Sequence, residues 1–248
     1  MIPKVIHYCW FGGNPLPKSA LKCIESWKKF LPDYEIKEWN ESNFDVNMIP
    51  YTQQAYEAKK YAYVSDYARF WILHQYGGLY FDTDVELIRP IDDIIERGNF
   101  MGLQSDPKID DASSIVNNGV NPGLGLGVAP GLGLLKKMLD MYEQLDFNEE
   151  SRKNPPVTIV EYTTEAFLKE GLKPVSGIQY VADCYVYPKE YFNPIEHVNQ
   201  LNITPNTRSI HHFAGSWLGW KDKMKKRIAM ILGPHIFGFL IKLRDHRR

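Results

Sequence analysis

The chain is poor in several things, and each shortage closes a door. It has three cysteines in 248 residues, Cys9, Cys23 and Cys184, an odd count with no metal-type spacing. Neither a disulfide framework nor a zinc knuckle follows, and reduced thiols of a cytosolic protein are expected. Net charge is only −1, without the bulk basicity that nucleic-acid binding uses. No apolar run approaches the roughly 20 residues of a membrane-spanning helix. The start, MIPKVIHYCWFGG, lacks the apolar length and small-residue cleavage site of a secretory signal and reads as a first core strand. No internal repeat is evident.

What is present suits a soluble domain with a real core: 44% hydrophobic and 24% charged residues. Aromatics reach 13%, with 6 Trp and 15 Tyr, a share common to sugar-handling proteins and to plain aromatic cores. Charge is unevenly distributed. Residues 221–248 hold nine Lys/Arg against two Asp, while residues 1–220 hold twenty Lys/Arg against twenty-eight Asp/Glu.

KVIHYCWFG predicts a strand ending in the turn Gly12-Gly13, followed by a helix in LPKSALKCIESWKKFL with Ala20, Ile24, Trp27 and Leu31 on one face. YEIKEWN predicts the next strand, so the chain opens as strand–helix–strand, the signature of a parallel α/β layer. A long helix is expected over 52–76, closed by Gly77-Gly78, then a strand through GGLYFDTDVEL that Pro90 stops. NFMGLQSD predicts another strand. Residues 117–133, NNGVNPGLGLGVAPGLG, read as a glycine-rich loop without the Gly-Lys-Ser/Thr ending of a phosphate loop, and LLKKMLDMYEQL as a helix. The stretch 157–220 reads as irregular.

GGLYFDTDVEL carries the chemistry. If it is one strand, Tyr80, Asp82, Asp84 and Glu86 share a face, and the stacked carboxylates demand something positive among them. A strand-end Asp-x-Asp suits a hard divalent cation with oxygen ligands, although any acidic turn can produce one. The helix before it places Asp66 and Arg69 three apart, as neighbours, either as an exposed ion pair or at the mouth of the same cleft. Near the far end, IHHFAGSW puts His211 and His212 on opposite faces of a strand, one free to ligate a metal while the other packs.

In order along the chain, IPKVIHYCWFGG, YVSDYARFWILHQYGGLYFDTDVEL and IHHFAGSW, with YPKEYFNP before the last, resemble bacterial members of glycosyltransferase family 32, Asp-x-Asp sugar transferases of the capsular and surface-polysaccharide type. The core is similar to that of the large clostridial glucosylating toxins. The resemblance spans residues 2–220. It implies a GT-A type fold, a Rossmann-like mixed sheet flanked by helices with an irregular acceptor-side half. It also implies Mn²⁺ or Mg²⁺, a nucleotide-sugar donor (UDP favoured), a glycan or lipid-linked glycan acceptor, and retention of anomeric configuration. By the same resemblance Trp10 stacks on the donor base, and Ser65, Asp66 and Arg69 contact ribose and sugar. Tyr80 precedes the acidic motif, Asp82 reaches donor hydroxyls and the metal, and Asp84 ligates the metal directly. His211 is the third metal-side ligand, Ser216 and Trp217 lie near the diphosphate, and Asn118 lies near the reacting sugar. The glycine-rich loop departs from the family's usual composition and is expected to be mobile beside the donor site.

Two rival readings stay open on the residues alone: a phosphatase or phosphotransferase with Asp82 as nucleophile, and a non-catalytic, cation-dependent carbohydrate-binding protein. Residues 1–220 are expected to form the transferase domain. In 221–248, Met224, Ile228, Ile231 and Leu232, then Ile236, Phe239, Leu240 and Leu243 beyond Gly233-Pro234, predict two basic amphipathic helices. Such helices either pack on the core or lie on an anionic membrane through 222–248, which would place the protein at the inner face of the plasma membrane.

Overall fold

VIHYC, buried without alternation from Ile6 to Cys9 as in a strand covered on both faces, makes β1 (Val5–Cys9), and Lys18–Phe30 forms α1 with Ala20, Cys23, Ile24 and Trp27 buried at helical spacing. This is a computed structural model that describes residues 1–107, 119–153, 156–197 and 200–215. β2 (Glu35–Trp39) lies parallel to β1, as the strand–helix–strand opening requires. The helix expected over 52–76 is two, α2 (Pro50–Glu57) and α3 (Tyr61–Tyr76). They part at Lys59, whose φ of 57° is left-handed and cannot continue a helix. α3 ends at Gly77 and Gly78, with φ of 63° and 104°. A Cβ on Gly78 would lie 2.6 Å from the Val5 carbonyl, so the turn into the sheet requires glycine twice over. His7 pins that turn. Trp39 can only donate, so its indole N–H at 3.0 Å makes His7 Nδ1 the acceptor and leaves Nε2 to donate to the Gly77 carbonyl at 3.0 Å. Burial lowers the His7 pKa to about 4, keeping the ring neutral.

The strand expected through the acidic motif is also broken. β3 (Gly78–Tyr80) and β4 (Val85–Leu87) flank a turn in which Val85 N–H donates to the Asp82 carbonyl at 3.0 Å. β3 joins the main sheet, whereas β4 leaves it to pair elsewhere. After β4 come α4 (Asp92–Arg97) and β5 (Phe100–Leu103), the latter as expected.

The glycine-rich segment is the largest correction. Val120–Val128 is not a mobile loop but β6, a fully buried strand at the centre of the sheet. Its glycines recur at every second residue. Gly123, Gly125 and Gly127 therefore share a face, and Leu124, Leu126 and Val128 the other. The bare face admits rings: a Cβ on Gly127 would sit 2.2 Å from Phe100, and one on Gly125 would sit 3.2 Å from Phe81. α5 (Gly133–Glu143) follows and packs on α3, then the short α6 (Phe147–Glu150). The region expected to be irregular holds α7 (Ile159–Lys169), which begins with a reciprocal Thr158–Glu161 capping box. Thr164 of α7 accepts the Val120 N–H at 2.9 Å, tying helix to central strand. β7 (Gln179–Val181), β8 (Cys184–Tyr187) and α8 (Lys189–Phe192) complete this part.

The sheet has seven strands in the order β2-β1-β3-β6-β5-β8-β7. β2, β1 and β3 are mutually parallel, β6 runs against β3 and β5, and β8 is parallel to β5. This is the mixed sheet flanked by helices that was expected. β9 (Ile195–His197) and β10 (Gln200–Leu201) pair with each other in a second unit whose described residues are 195–197, 200–202 and 213–215. β11 (Ser209–His211) belongs to the main body and pairs antiparallel with β4. The expected boundary at residue 220 and the tail 221–248 lie outside the described residues. No helix among the described residues is long and apolar enough to cross a membrane. The three cysteines are buried and unpaired.

The glycine stripe yields a stability test. Gly127→Ala should lower stability by about 1–3 kcal/mol through overpacking against Phe100 and Leu79. Gly133→Ala, with open space around its Cβ at the start of α5, should be neutral or gain up to about 1 kcal/mol. Urea midpoints of the two variants check the contrast, and equal shifts would refute it.

Candidate active site

From β1 the chain passes through α1 to β2 on one side, then returns across β1 to β3 on the other. Connections that part in this way leave a crevice at the C-terminal ends of the two strands, where open α/β sheets bind ligands. Trp10 follows β1 at that crevice, and the acidic motif follows β3. Trp10 is half-buried, with its indole N–H fixed on the Asn14 carbonyl at 2.6 Å.

α3 delivers Arg69 beneath the motif. Its side chain is 5% exposed, far from the surface ion pair that the spacing alone allowed. Nη2 donates to Asp66 Oδ1 at 2.8 Å, Nε donates to the Ser65 carbonyl at 3.2 Å, and Nη1 lies 3.4 Å from Asp82 Oδ1. The guanidinium stacks over the Tyr80 ring, 4.8 Å from its centroid. Tyr80 is buried, and its hydroxyl points at Asp82 Oδ1 from 3.4 Å. Ser65 serves mainly through its carbonyl, because its hydroxyl donates back to Tyr61 O at 3.1 Å. Burial pushes the Asp66 carboxyl up to about 7, against the pull of Arg69 and with the Asp82 charge adding to the rise.

The other two carboxylates have their own partners. β11 sets His211 opposite Val85, and its Nε2 lies 3.0 Å from Asp84 Oδ1. His212 points the other way and meets Glu86 Oε2 at 2.8 Å on an exposed surface. The two histidines thus face opposite ways as expected, but His212 is exposed rather than packed. Glu86 departs from expectation: it leaves the stack and turns away with His212. Each carboxylate of the acidic motif therefore meets a different nitrogen partner, Asp82 meeting Arg69, Asp84 meeting His211 and Glu86 meeting His212.

Asp82, Asp84 and His211 each offer one ligand atom, all within 4.8 Å of one another. Two carboxylate oxygens and an imidazole nitrogen suit Mn²⁺ or Mg²⁺, with Mn²⁺ the better match for the nitrogen. A cation there would need His211 neutral and would take the place of its hydrogen bond to Asp84.

β6 supplies residues that the sequence reading missed. A Cβ on Gly123 would lie 2.1 Å from Asp82 Oδ2 and 3.1 Å from Arg69 Nη1, so the carboxylate occupies the space that a side chain would take. Asp82 N–H donates to the Gly123 carbonyl at 3.2 Å. Asn121, also buried, accepts the Gly123 N–H at 2.7 Å and donates to Gln104 Oε1 at 2.7 Å. The two-residue alternation of glycine with Leu and Val was the available signal. Asn118, Ser216 and Trp217 lie outside the described residues.

Residues 17–101 match the family described as glycosyltransferase sugar-binding region containing DXD motif. Inositol phosphoceramide mannosyltransferase 3 of Schizosaccharomyces pombe is 32% identical over 98 residues, 38% of this chain and 27% of that protein. Inositol phosphoceramide mannosyltransferase 1 of the same yeast is 26% identical over 117 residues, 43% of this chain and 35% of its own. The uncharacterized glycosyltransferase L373 of Acanthamoeba polyphaga mimivirus is 31% identical over 106 residues, 40% and 42% of the two chains. The chain spans less than half the length of each of these relatives. Among solved structures, PaToxG glycosyltransferase superposes with a TM-score of 0.49 at 18% identity, over 68% of this chain and 70% of its own. A glycosyltransferase involved in glycosylation of the PBCV-1 major capsid gives 0.44 at 14%, over 93% and 100%.

The buried charge triad predicts a pH-dependent mutant. Arg69→Met leaves Asp66 and Asp82 facing each other and should lose about 3–5 kcal/mol of stability at pH 8. A carboxyl raised above its ordinary 3.8 favours the folded state in acid, and that advantage disappears as pH rises through about 7. Without Arg69 the carboxyl rises further, so the loss should be clearly smaller at pH 5. Urea unfolding at both pH values decides; equal losses would exclude a buried-charge origin.

Proposed function

We propose that this chain is a metal-dependent glycosyltransferase of GT-A type that moves a sugar, with retention of configuration, from a nucleotide-sugar donor to a polysaccharide or lipid-linked glycan acceptor. One observation carries the reading: Asp82, Asp84 and His211 converge at the crevice beside β1 and β3, and both aspartates fall within the stretch matched by the DXD sugar-binding description. The reading takes Mn²⁺ or Mg²⁺ as cofactor, with Asp82, Asp84 and neutral His211 as its ligands. When bound, such an ion acts as a Lewis acid toward the diphosphate leaving group.

The chain's own groups supply orientation. Arg69 and the Tyr80 hydroxyl both act on Oδ1 of Asp82, so the carboxylate is held in one rotamer before any donor arrives. Asp66, next to Arg69, is the polar group positioned for donor hydroxyls, and with a pKa near 7 it can either accept or donate a hydrogen bond at neutral pH. Trp10 offers a half-buried ring for the base, and Asn118, Ser216 and Trp217 complete the set assigned to sugar and diphosphate.

Nucleotide release tests the proposal with UDP-galactose, UDP-glucose, UDP-N-acetyl sugars and GDP-mannose, the last because two relatives are named mannosyltransferases. Turnover of one donor with Mn²⁺ or Mg²⁺, lost on chelation, is expected. Phosphomonoester hydrolysis instead would make the protein a phosphatase. In calorimetry with Mn²⁺ and UDP, Asp84→Ala should abolish metal-dependent nucleotide binding while the thermal midpoint holds, and unchanged affinity would sink the metal assignment.

The basic amphipathic pattern of 222–248 extends the reading to a peripheral contact with an anionic membrane on its cytoplasmic side, where a lipid-linked acceptor would be met. Flotation with anionic vesicles should recover the full chain and not a chain ending at residue 221, and salt should weaken the recovery. Equal recovery of the two would exclude it.

A further inference from the structure

At the other end of the sheet, where β1 and β5 begin and β6 ends, lies a cleft of about 850 Å³. Gly123, at the acidic cluster, and Ala129, on the cleft wall, are six residues apart along the β6 direction, which separates the two places by roughly 20 Å. Four aromatic residues line the cleft, Phe30, Tyr34, Tyr180 and Tyr185, the last two packed as a pair. Tyr180 is 59% exposed, yet its ring is held, 4.7 Å from that of Tyr185 and with its hydroxyl donating to Asp183 Oδ1 at 3.2 Å.

The hairpin that carries this ring is fixed as well. Ala182 and Asp183 form its two-residue turn with φ of 51° and 58°, the twist that tight hairpins need but that non-glycine residues resist. Asn99 anchors the turn: its Nδ2 donates to the Asp183 carbonyl at 2.8 Å, while its Oδ1 accepts the Ala129 N–H at 2.8 Å. An exposed aromatic on a clamped, strained turn is a preorganised contact surface.

The polar lining selects the ligand. Asp33, Asp92, Glu96 and Asp183 contribute four carboxylates against the side-chain cations Lys4 and Arg97 and the α-amino group of Met1. Lys4 is drawn to Asp33 at 3.7 Å, and the Arg97 guanidinium lies 5.5 Å from the Tyr185 ring centroid. The surplus negative charge repels phosphates and acidic glycans. Carboxylates are acceptors that suit paired hydroxyls, and the negative faces of tyrosine rings suit the weakly positive C–H faces of pyranoses.

We propose that this cleft binds a neutral oligosaccharide, as an accessory glycan site separate from the acidic cluster. The claim goes beyond the transferase reading and does not need it. Saturation-transfer NMR and calorimetry would be run without donor or metal, using neutral gluco-, manno- and galacto-configured tetrasaccharides. At least one should bind with Kd of about 1 mM or tighter. Tyr180→Ala, a surface change that should leave the unfolding midpoint in place, should weaken binding roughly tenfold, whereas Tyr180→Phe should retain it. Asp84→Ala, at the far end of the sheet, should bind like wild type. Absence of binding by every probe, indifference to Tyr180→Ala, an equal loss in Tyr180→Phe, or loss in Asp84→Ala would each overturn the proposal. If nucleotide release fails while the tetrasaccharide result holds, the transferase reading falls alone.

Discussion

One guanidinium organises the front of this molecule. Arg69 sits in a nearly dry position with five N–H donors, and it directs them at Ser65 O, Asp66 and Asp82 while stacking on Tyr80. A buried arginine flanked by two carboxylates leaves an excess of negative charge, relieved in part because burial lets Asp66 hold its proton to about pH 7. The turn after β3 then has a fixed floor. Asp82 is set by Arg69, and Asp84, two residues on, is turned toward β11 and meets His211. The strand must break between β3 and β4 for this to happen, because β4 has to leave the main sheet to pair with β11.

The same economy of space explains the glycines of β6. A central strand normally fills both faces with side chains, and here one face is left bare at Gly123, Gly125 and Gly127. Rings of Phe81 and Phe100 fill part of that hollow, and the Asp82 carboxylate fills its front end. Phe192 completes the slab, stacked on Phe100 at 5.8 Å and close enough to Gly102 that a Cβ there would fall 2.6 Å from its ring. Much of the chain's high aromatic content is therefore core: Trp27, Tyr80, Tyr142, Tyr187, Phe70, Phe167 and these phenylalanines are among the largest fully buried side chains. Composition alone could not separate that use from sugar handling.

The opening of the fold was legible because its signals are local. β1, α1, β2, β5 and α5 stand where periodicity places them, with Ala20, Ile24 and Trp27 inward as expected. Prediction failed where tertiary contacts override local preference. Lys59 breaks a helix that apolar spacing would have continued, and a run of glycines becomes a central strand because neighbouring rings need the room. α7 lies in the tract that reads as irregular, although Thr158 and Glu161 spell out its cap. In the site, the choice between His211 and His212 required the register of β11 against β4, which joins residues 127 apart. Asn121 and Gly123 belong to the site only because β6 lies beside β3.

The sheet's polarity then divides the labour. The C-terminal ends of β1 and β3 gather acids around a buried arginine, a surface suited to a cation and the anionic ligand that a cation brings. The other end gathers tyrosines and carboxylates, with no buried cation beneath them among the described residues, a surface suited to uncharged hydroxyls. At the acidic end, a cation held as proposed by Asp82, Asp84 and His211 would have to displace the Asp84–His211 hydrogen bond. Arg69 stands outside that exchange: it is held charged between Asp66 and Asp82, one element removed from the Asp84–His211 contact.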